Sequence, residues 1–458
     1  MAKYGLIGKD IDHSQSPFLH QLIGDYEYEL INVQDESQLK TILEDTSYDG
    51  FNVTMPYKES VIKYIDDLTP WVVETNAVNT IKRMPDGTLT GYNTDVRGFI
   101  ESVGDRAKGR KCLVFGTGGA ARAVGYGLKL IEAKDIIYVS RNPENTHARL
   151  PEDAKVISYD ELDNHSDAQV IVNATPVGHM DSIDKSVLSE SGNSVRNFTS
   201  LELAMDLIYC PYRTKFLQDA RRLTGCKTAS GLEMLIHQAI AARGIWTGSR
   251  RIPIFERIAS SSIKRKLLAR QLNIVAVGMP GCGKTSIFRK YAQEMKLDFI
   301  DIDHETETLM GDTIENVLGE GGKGEEYFRS MESKAVLAAS KRNRAVIATG
   351  GGAILNPINR DLLKANSLVI YVKRPLYMLA TFGRPISQER GVEELYEERD
   401  SIYRRVADFS INNNKNFGDS LDKNGNKNSY GYDMKAFVFN ARTMIEKYIF
   451  DIAGNRWV

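Results

Sequence analysis

Two different glycine-rich turns, about 160 residues apart, constrain this chain more than any other feature. The first, G-T-G-G-A-A-R over residues 116–122, follows the apolar run Cys112–Phe115. The second, G-M-P-G-C-G-K-T over 278–285, follows Ile274–Val277. Glycines at such spacings let backbone amides approach phosphate oxygens at the start of a helix, whose N-terminal dipole favours an anion. The first spacing is that of a dinucleotide-binding turn and the second that of a P-loop. A single small domain rarely needs both. The economical reading is two fused enzymes, one using a nicotinamide cofactor and one using ATP.

At 458 residues the chain exceeds what one core organises, and its length suggests roughly three domains. A formal net charge of −1 leaves no electrostatic footprint for nucleic acid or an anionic membrane. Cys112, Cys210, Cys226 and Cys282 show no paired metal spacing, which argues against zinc and fits a reducing compartment. The first residues lack the basic-then-apolar order of a signal segment, and no apolar run is long enough to span a bilayer. A cytoplasmic location is expected.

Strands are predicted at Tyr4–Ile7, Glu29–Val33, Gly50–Val53, Cys112–Phe115, Ile136–Val139, Val170–Val172 and Ala204–Leu207, with helices at 18–23, 120–131 and 232–246. Such alternation implies α/β architecture with parallel sheets. The expected division is a substrate domain over 1–100 and a Rossmann domain over 101–248, whose late helix returns to the first. A Ser/Arg/Lys-rich linker over 249–270 and a P-loop domain over 271–458 follow. The asparagine-rich stretch 412–428 reads as a loop and 434–452 as a closing helix.

The residues themselves suggest hydride transfer in the first half. Where an NAD site places an acidic residue for the ribose, this chain has Ser140-Arg141, and a cation there suits the 2′-phosphate of NADP. Ser14 and Ser16 precede a helix start, where hydroxyls serve either as a cap or as a carboxylate site. Lys58 stands just beyond a strand end, and Asn79 and Asp95 stand at others. Reducing a ketone creates an alkoxide that needs a proton donor, and a carboxylate can orient that donor.

The elements S-x-S-P, N-V-T-x-P-x-K, A-V-N-T, N-T-D, G-x-G-G-A-x-R and N-A-T-P-x-G occur in this order, followed by D-L-I-Y-C-P and G-L-E-M-L-I-H-Q-A. Over residues 3–248 the chain resembles shikimate dehydrogenase. The resemblance implies that Lys58 and Asp95 form the catalytic pair, with Ser14, Ser16, Thr54, Asn79, Tyr209 and Gln238 binding the polyhydroxy acid. It assigns NADPH to Gly116, Gly118, Gly119, Ala120, Ser140 and Arg141.

In the second half, Gly278, Gly281, Gly283 and Lys284 form the phosphate cradle, and Thr285 is placed to hold Mg2+. The run Phe299–Asp303 reads as a strand end offering Asp301 and Asp303 on one side. One can serve the metal and the other can take the proton of an attacking hydroxyl, although a solvated turn has the same pattern. The triple glycine Gly350, Gly351, Gly352 fits either a ligand-facing backbone or a plain turn. Arg329 and Arg399 suit a carboxylate or surface ion pairs.

With R-P at 384–385 and R-D-S-I-Y at 399–403, these elements resemble shikimate kinase over residues 271–411. The resemblance implies that Asp303 faces the ring hydroxyls and that Arg329 and Arg399 hold the carboxylate. Gly350, Gly351 and Gly352 line the ring, and Arg384 in a short lid stabilises the transferring phosphoryl. The expected protein reduces 3-dehydroshikimate with NADPH and phosphorylates shikimate with ATP and Mg2+. Small molecules are its partners, and nucleic acid and membrane are not. Alternatives are a quinate-using dehydrogenase joined to another small-molecule kinase, or a kinase-like half that only binds nucleotide.

Overall fold

The computed structural model describes residues 1–145, 150–151, 153–189, 192–248, 253–380, 385–413 and 431–454. Three sheets organise them. The first comprises β1 (Lys3–Gly8), β2 (Glu27–Asn32), β3 (Gly50–Val53), β4 (Asp67–Leu68), β5 (Thr80–Arg83) and β6 (Leu89–Tyr92), in the order β2-β1-β3-β5-β6-β4. β1 runs parallel to β2 and β3, and the β5–β6 hairpin adds antiparallel strands that the sequence pattern did not predict.

The second sheet is formed by β7 (Lys111–Phe115), β8 (Asp135–Val139), β9 (Lys155–Ile157), β10 (Val170–Asn173), β11 (Leu203–Asp206) and β12 (Lys227–Ala229). Its order β12-β11-β10-β7-β8-β9 is wholly parallel and reverses direction between β7 and β10. Ligands of doubly wound sheets bind at that reversal, beyond the strand C-termini. The third sheet comprises β13 (Asn273–Val277), β14 (Asp298–Asp301), β15 (Ala345–Ala348), β16 (Ser367–Lys373) and β17 (Phe409–Asn412), all parallel in the order β14-β15-β13-β16-β17. Its central strands are mainly apolar and buried along nearly their whole length, as sheets covered by helices on both faces require.

Two expectations change. Asp303 is not on a strand: β14 stops at Asp301, whose carboxylate accepts from the Asp303 amide and caps the helix Ile302–Met310. An Asp followed by a short apolar-periodic run is a helix start, and the cap outcompetes strand continuation. The stretch expected as a linker contains the helix Pro253–Gln271, which packs on the helices Leu232–Thr247 and Gly431–Gly454. Ile263, Leu267 and Leu268 are buried there in one apolar cluster running from Leu19, Leu232 and Ile236 to Val275 and Val369. Most of the asparagine-rich stretch lies outside the described residues. Its start is ordered: Asn412 ends β17, and buried Asn413 donates to the Cys282 carbonyl over 2.8 Å.

Candidate functional sites

The turn after β3 delivers Lys58, and the helix Thr94–Val103 begins with Asp95, capped by Asn93. Lys58 Nζ donates to Asp95 Oδ2 over 2.6 Å, with the side chains 17 % and 11 % exposed. Asn79 Nδ2 donates to the other carboxylate oxygen over 2.8 Å, and the Thr94 amide donates to Asn79 Oδ1 over 2.7 Å. The Asp95 carboxylate is therefore held from two sides while its lysine partner keeps a path to solvent. Gly98 explains how Gln238 joins this group. A Cβ there would meet the Met234 carbonyl at 2.7 Å and Gln238 Cβ at 3.0 Å, so only glycine lets the two helices approach this closely. Gln238 then faces Thr94, with 3.5 Å between Oε1 and the threonine hydroxyl.

The remaining predicted residues of this pocket come from the segments that follow β1, β3 and β11. The Ser14 hydroxyl accepts from the Ser16 amide over 3.2 Å at the start of the helix Ser16–Ile23. Thr54 stands over Gly8, where a Cβ would come within 2.5 Å of its methyl. Burial pushes the Tyr209 phenol up to about 12, followed in effect by neighbouring Cys210, while the Gln15 backbone faces it. Tyr209 thus reaches from the second sheet to the turn between the two serines.

Gly116, at φ +104°, turns the chain after β7, and Gly119 opens the helix Gly119–Leu130. A Cβ on Gly118 would meet nothing within 4 Å, so the turn has free space above its backbone. A Cβ on Gly119 would lie 3.5 Å from Ala77 and 4.0 Å from the Lys58 side chain. The glycine turn therefore lies beside the Lys58 side chain and has room above its backbone at Gly118. Ser140 and exposed Arg141 follow β8 on the same edge. Arg122 was not singled out by sequence, although it closes the glycine motif. Buried at 3 % exposure, it donates to the Thr75 carbonyl over 2.6 Å and to Glu59 over 2.7 Å, tying the two sheets together.

In the third sheet Lys284 is buried and folds back on its own loop, donating to the carbonyls of Gly278 at 2.8 Å and Met279 at 3.1 Å. Gly281 and Gly283 have φ of +77° and +95°. The triple glycine lacks positive φ and is required for space instead. A Cβ on Gly350 would meet Asp303 Oδ1 at 2.4 Å, one on Gly351 would meet Pro280 of the P-loop at 2.6 Å, and one on Gly352 would meet the Arg329 guanidinium at 2.5 Å. One bare backbone segment therefore floors a cleft between Asp303, the P-loop and Arg329.

Glu332, which sequence reasoning missed, sits 1 % exposed and accepts from Arg329 over 2.8 Å. Burial pushes its carboxyl up, against the pull of Arg329 and then of Arg399. Its signal was the i, i+3 spacing from Arg329 on a helix. Arg399 is 2 % exposed, and Tyr403, one turn on, donates its hydroxyl to the Gly351 carbonyl. Arg384 lies outside the described residues. Asp303 is pushed up to about 6, first by desolvation and then by Asp301. Asp301 and Asp303 are two mutually repelling carboxylates, hard oxygen donors of the kind a divalent cation takes. Among the described residues no group of three acidic, His or Cys side chains could hold a metal ion.

Among the described residues no helix is long and apolar enough to cross a membrane. Two family models match the chain, "Shikimate dehydrogenase substrate binding domain" over residues 6–81 and "Shikimate kinase" over 280–422. The shikimate dehydrogenase (NADP(+)) of Clostridium botulinum is 34 % identical over 252 residues, 53 % of this chain and 95 % of that protein. A chorismate mutase/shikimate 5-dehydrogenase fusion protein from Clostridium acetobutylicum is similar in structure, with a TM-score of 0.52 and 36 % identity over 58 % of this chain and 98 % of its own. Shikimate dehydrogenase 1 from Peptoclostridium difficile follows at a TM-score of 0.51 and 30 % identity, covering 57 % and 96 % of the two chains.

Proposed function

This chain belongs to the shikimate dehydrogenase family and carries a shikimate kinase domain behind it, and from that premise we propose two consecutive reactions on one carbon skeleton. The first half reduces 3-dehydroshikimate, and the second phosphorylates the shikimate so formed at the hydroxyl that reduction has created. The observation that carries this reading is shared by both halves. Each phosphate cradle opens on an acid–base group, Gly119 onto Lys58 and the P-loop proline onto the glycine floor below Asp303.

NADPH supplies the hydride when bound, and ATP with Mg2+ supplies the phosphoryl group. Around them this chain's residues divide the work. Lys58 delivers a proton to the oxygen that becomes the hydroxyl, and Asp95, held by Asn79, orients the lysine. Ser14, Ser16, Thr54, Tyr209 and Gln238 hold the acid, and Arg141 attracts the 2′-phosphate. In the second half Lys284 would hold phosphate oxygens, and Thr285 and Asp301 would hold the cation. Asp303 accepts the proton of the attacking hydroxyl. Arg329 and Arg399 fix the carboxylate, and Arg384 keeps the lid role that the resemblance implies.

One reaction tests both halves: the protein with 3-dehydroshikimate, NADPH, ATP and Mg2+, products identified by mass. The expected product is shikimate 3-phosphate, with consumption of both nucleotides. Accumulation of unphosphorylated shikimate would refute the kinase half, and unchanged 3-dehydroshikimate would refute the dehydrogenase half.

A further inference from the structure

The helix Pro253–Gln271 touches three segments that carry the acid-binding residues proposed for the first site. Lys264, 1 % exposed, donates to Glu233 over 2.8 Å on the helix that bears Gln238. Arg270 lies 4.6 Å from the centroid of the Phe18 ring, on the helix that starts at Ser16. Gln271 Nε2 donates to the Tyr209 carbonyl over 2.7 Å. Two residues later β13 begins and leads into the P-loop.

The third sheet holds the residues just after Tyr209. Asn366 Oδ1, in the turn before β16, accepts from Gln271 Nε2 over 3.0 Å and from the Tyr212 amide over 3.3 Å. The Arg213 amide donates to the Ala365 carbonyl over 2.8 Å. Its guanidinium donates to the Ser367 carbonyl and pairs with Asp408, whose side chain is 7 % exposed. Residues 207–214 have no ladder of their own between β11 and the helix Lys215–Thr224. Their backbone groups must find partners elsewhere, and ordering such a segment costs conformational entropy that those partners offset.

We propose that the second enzyme is a structural part of the first enzyme's acid pocket, with Gln271 and Asn366 as positioning residues for Tyr209. The inference rests on the assignment of Tyr209 to the acid pocket made above. Its consequence is specific: weakening these contacts loosens the hold on the acid while leaving the nucleotide turn and the Lys58–Asp95 pair in place.

The test uses the full chain and follows shikimate oxidation by NADP+. Gln271→Met removes the donor at nearly constant volume, and Asn366→Ala removes the acceptor. Each is expected to raise KM for shikimate roughly five- to thirty-fold, the scale of one buried hydrogen-bonding group left without its partner, with kcat and KM for NADP+ within about twofold of wild type. A folded variant with unchanged KM for shikimate overturns the proposal. Wild-type protein that does not oxidise shikimate at all refutes the functional reading instead. Should neither variant fold, amide exchange in the unaltered chain decides. The Tyr212 and Arg213 amides are expected to be protected like those of β13, and exchange at the rate of an unstructured loop overturns the proposal.

Discussion

Arg122 donates through Nη2 to Glu59 Oε1 over 2.7 Å, so the first helix of the dinucleotide sheet grips the residue beside Lys58. The same guanidinium binds the carbonyls of Thr75 and Asn76 at 2.6 and 3.1 Å. Arg122→Met leaves both carbonyls without this donor, a loss of about 2 kcal/mol. The expected result is a lower urea midpoint and a roughly tenfold lower dehydrogenase kcat, because hydride transfer needs the two sheets in fixed register. Phosphorylation of shikimate should stay within about twofold. Unchanged reduction in a destabilised variant would make Arg122 a purely structural clamp.

The Lys58 side chain lies at both the Asp95 carboxylate and the glycine turn that opens the helix Gly119–Leu130. Lys58→Ala should lower the reduction rate by roughly 10²–10⁴, the usual scale for a general acid, with NADPH affinity nearly intact. Stopped-flow reduction alongside fluorescence titration of NADPH separates the two quantities. Full activity would remove Lys58 from the chemistry.

Lys284 Nζ donates to two carbonyls of its own loop, Gly278 and Met279. In Lys284→Ala, shikimate-dependent ADP formation should fall by at least about 10²-fold, while NADPH oxidation with 3-dehydroshikimate continues at the wild-type rate. Retained ADP formation would show that the P-loop is not the phosphoryl donor site.

His20 couples the fold to acid. Its ring is 1 % exposed, stacks on Tyr28 at 3.9 Å and shares a 2.7 Å hydrogen bond with the Tyr26 hydroxyl. Burial pushes it down from 6.5 to about 3. The unfolded chain therefore takes the proton first as pH falls. Stability tied to the neutral ring is complete above about 6.5 and is lost toward pH 3, by at most about 1.4 kcal/mol per unit. His20→Phe keeps an aromatic ring and removes the titration. Between pH 6.5 and about 4 the melting temperature of wild type should fall more steeply than that of the variant. Parallel curves would place the acid sensitivity elsewhere.

The two glycine turns before helices, the alternation of strands and helices, and the candidates Asn79, Asp95 and Gln238 that gather near Lys58 were legible in the amino-acid order. Each depends on physics that acts over a few residues. Glycine spacing permits a tight turn, and apolar periodicity selects strand or helix. Asp303 was placed on the wrong element because a capping Asp and a strand end look alike until the next turn of helix forms. Tertiary structure alone decided the rest. The triple glycine is a cleft floor only because Asp303, Pro280 and Arg329 come from three other segments. Arg122 became a clamp, and the stretch between the two enzymes became a helix wedged under Tyr209, through contacts between residues far apart in the chain. Local sequence carries no record of such neighbours, since burial and hydrogen-bond satisfaction are fixed only when the sheets pack.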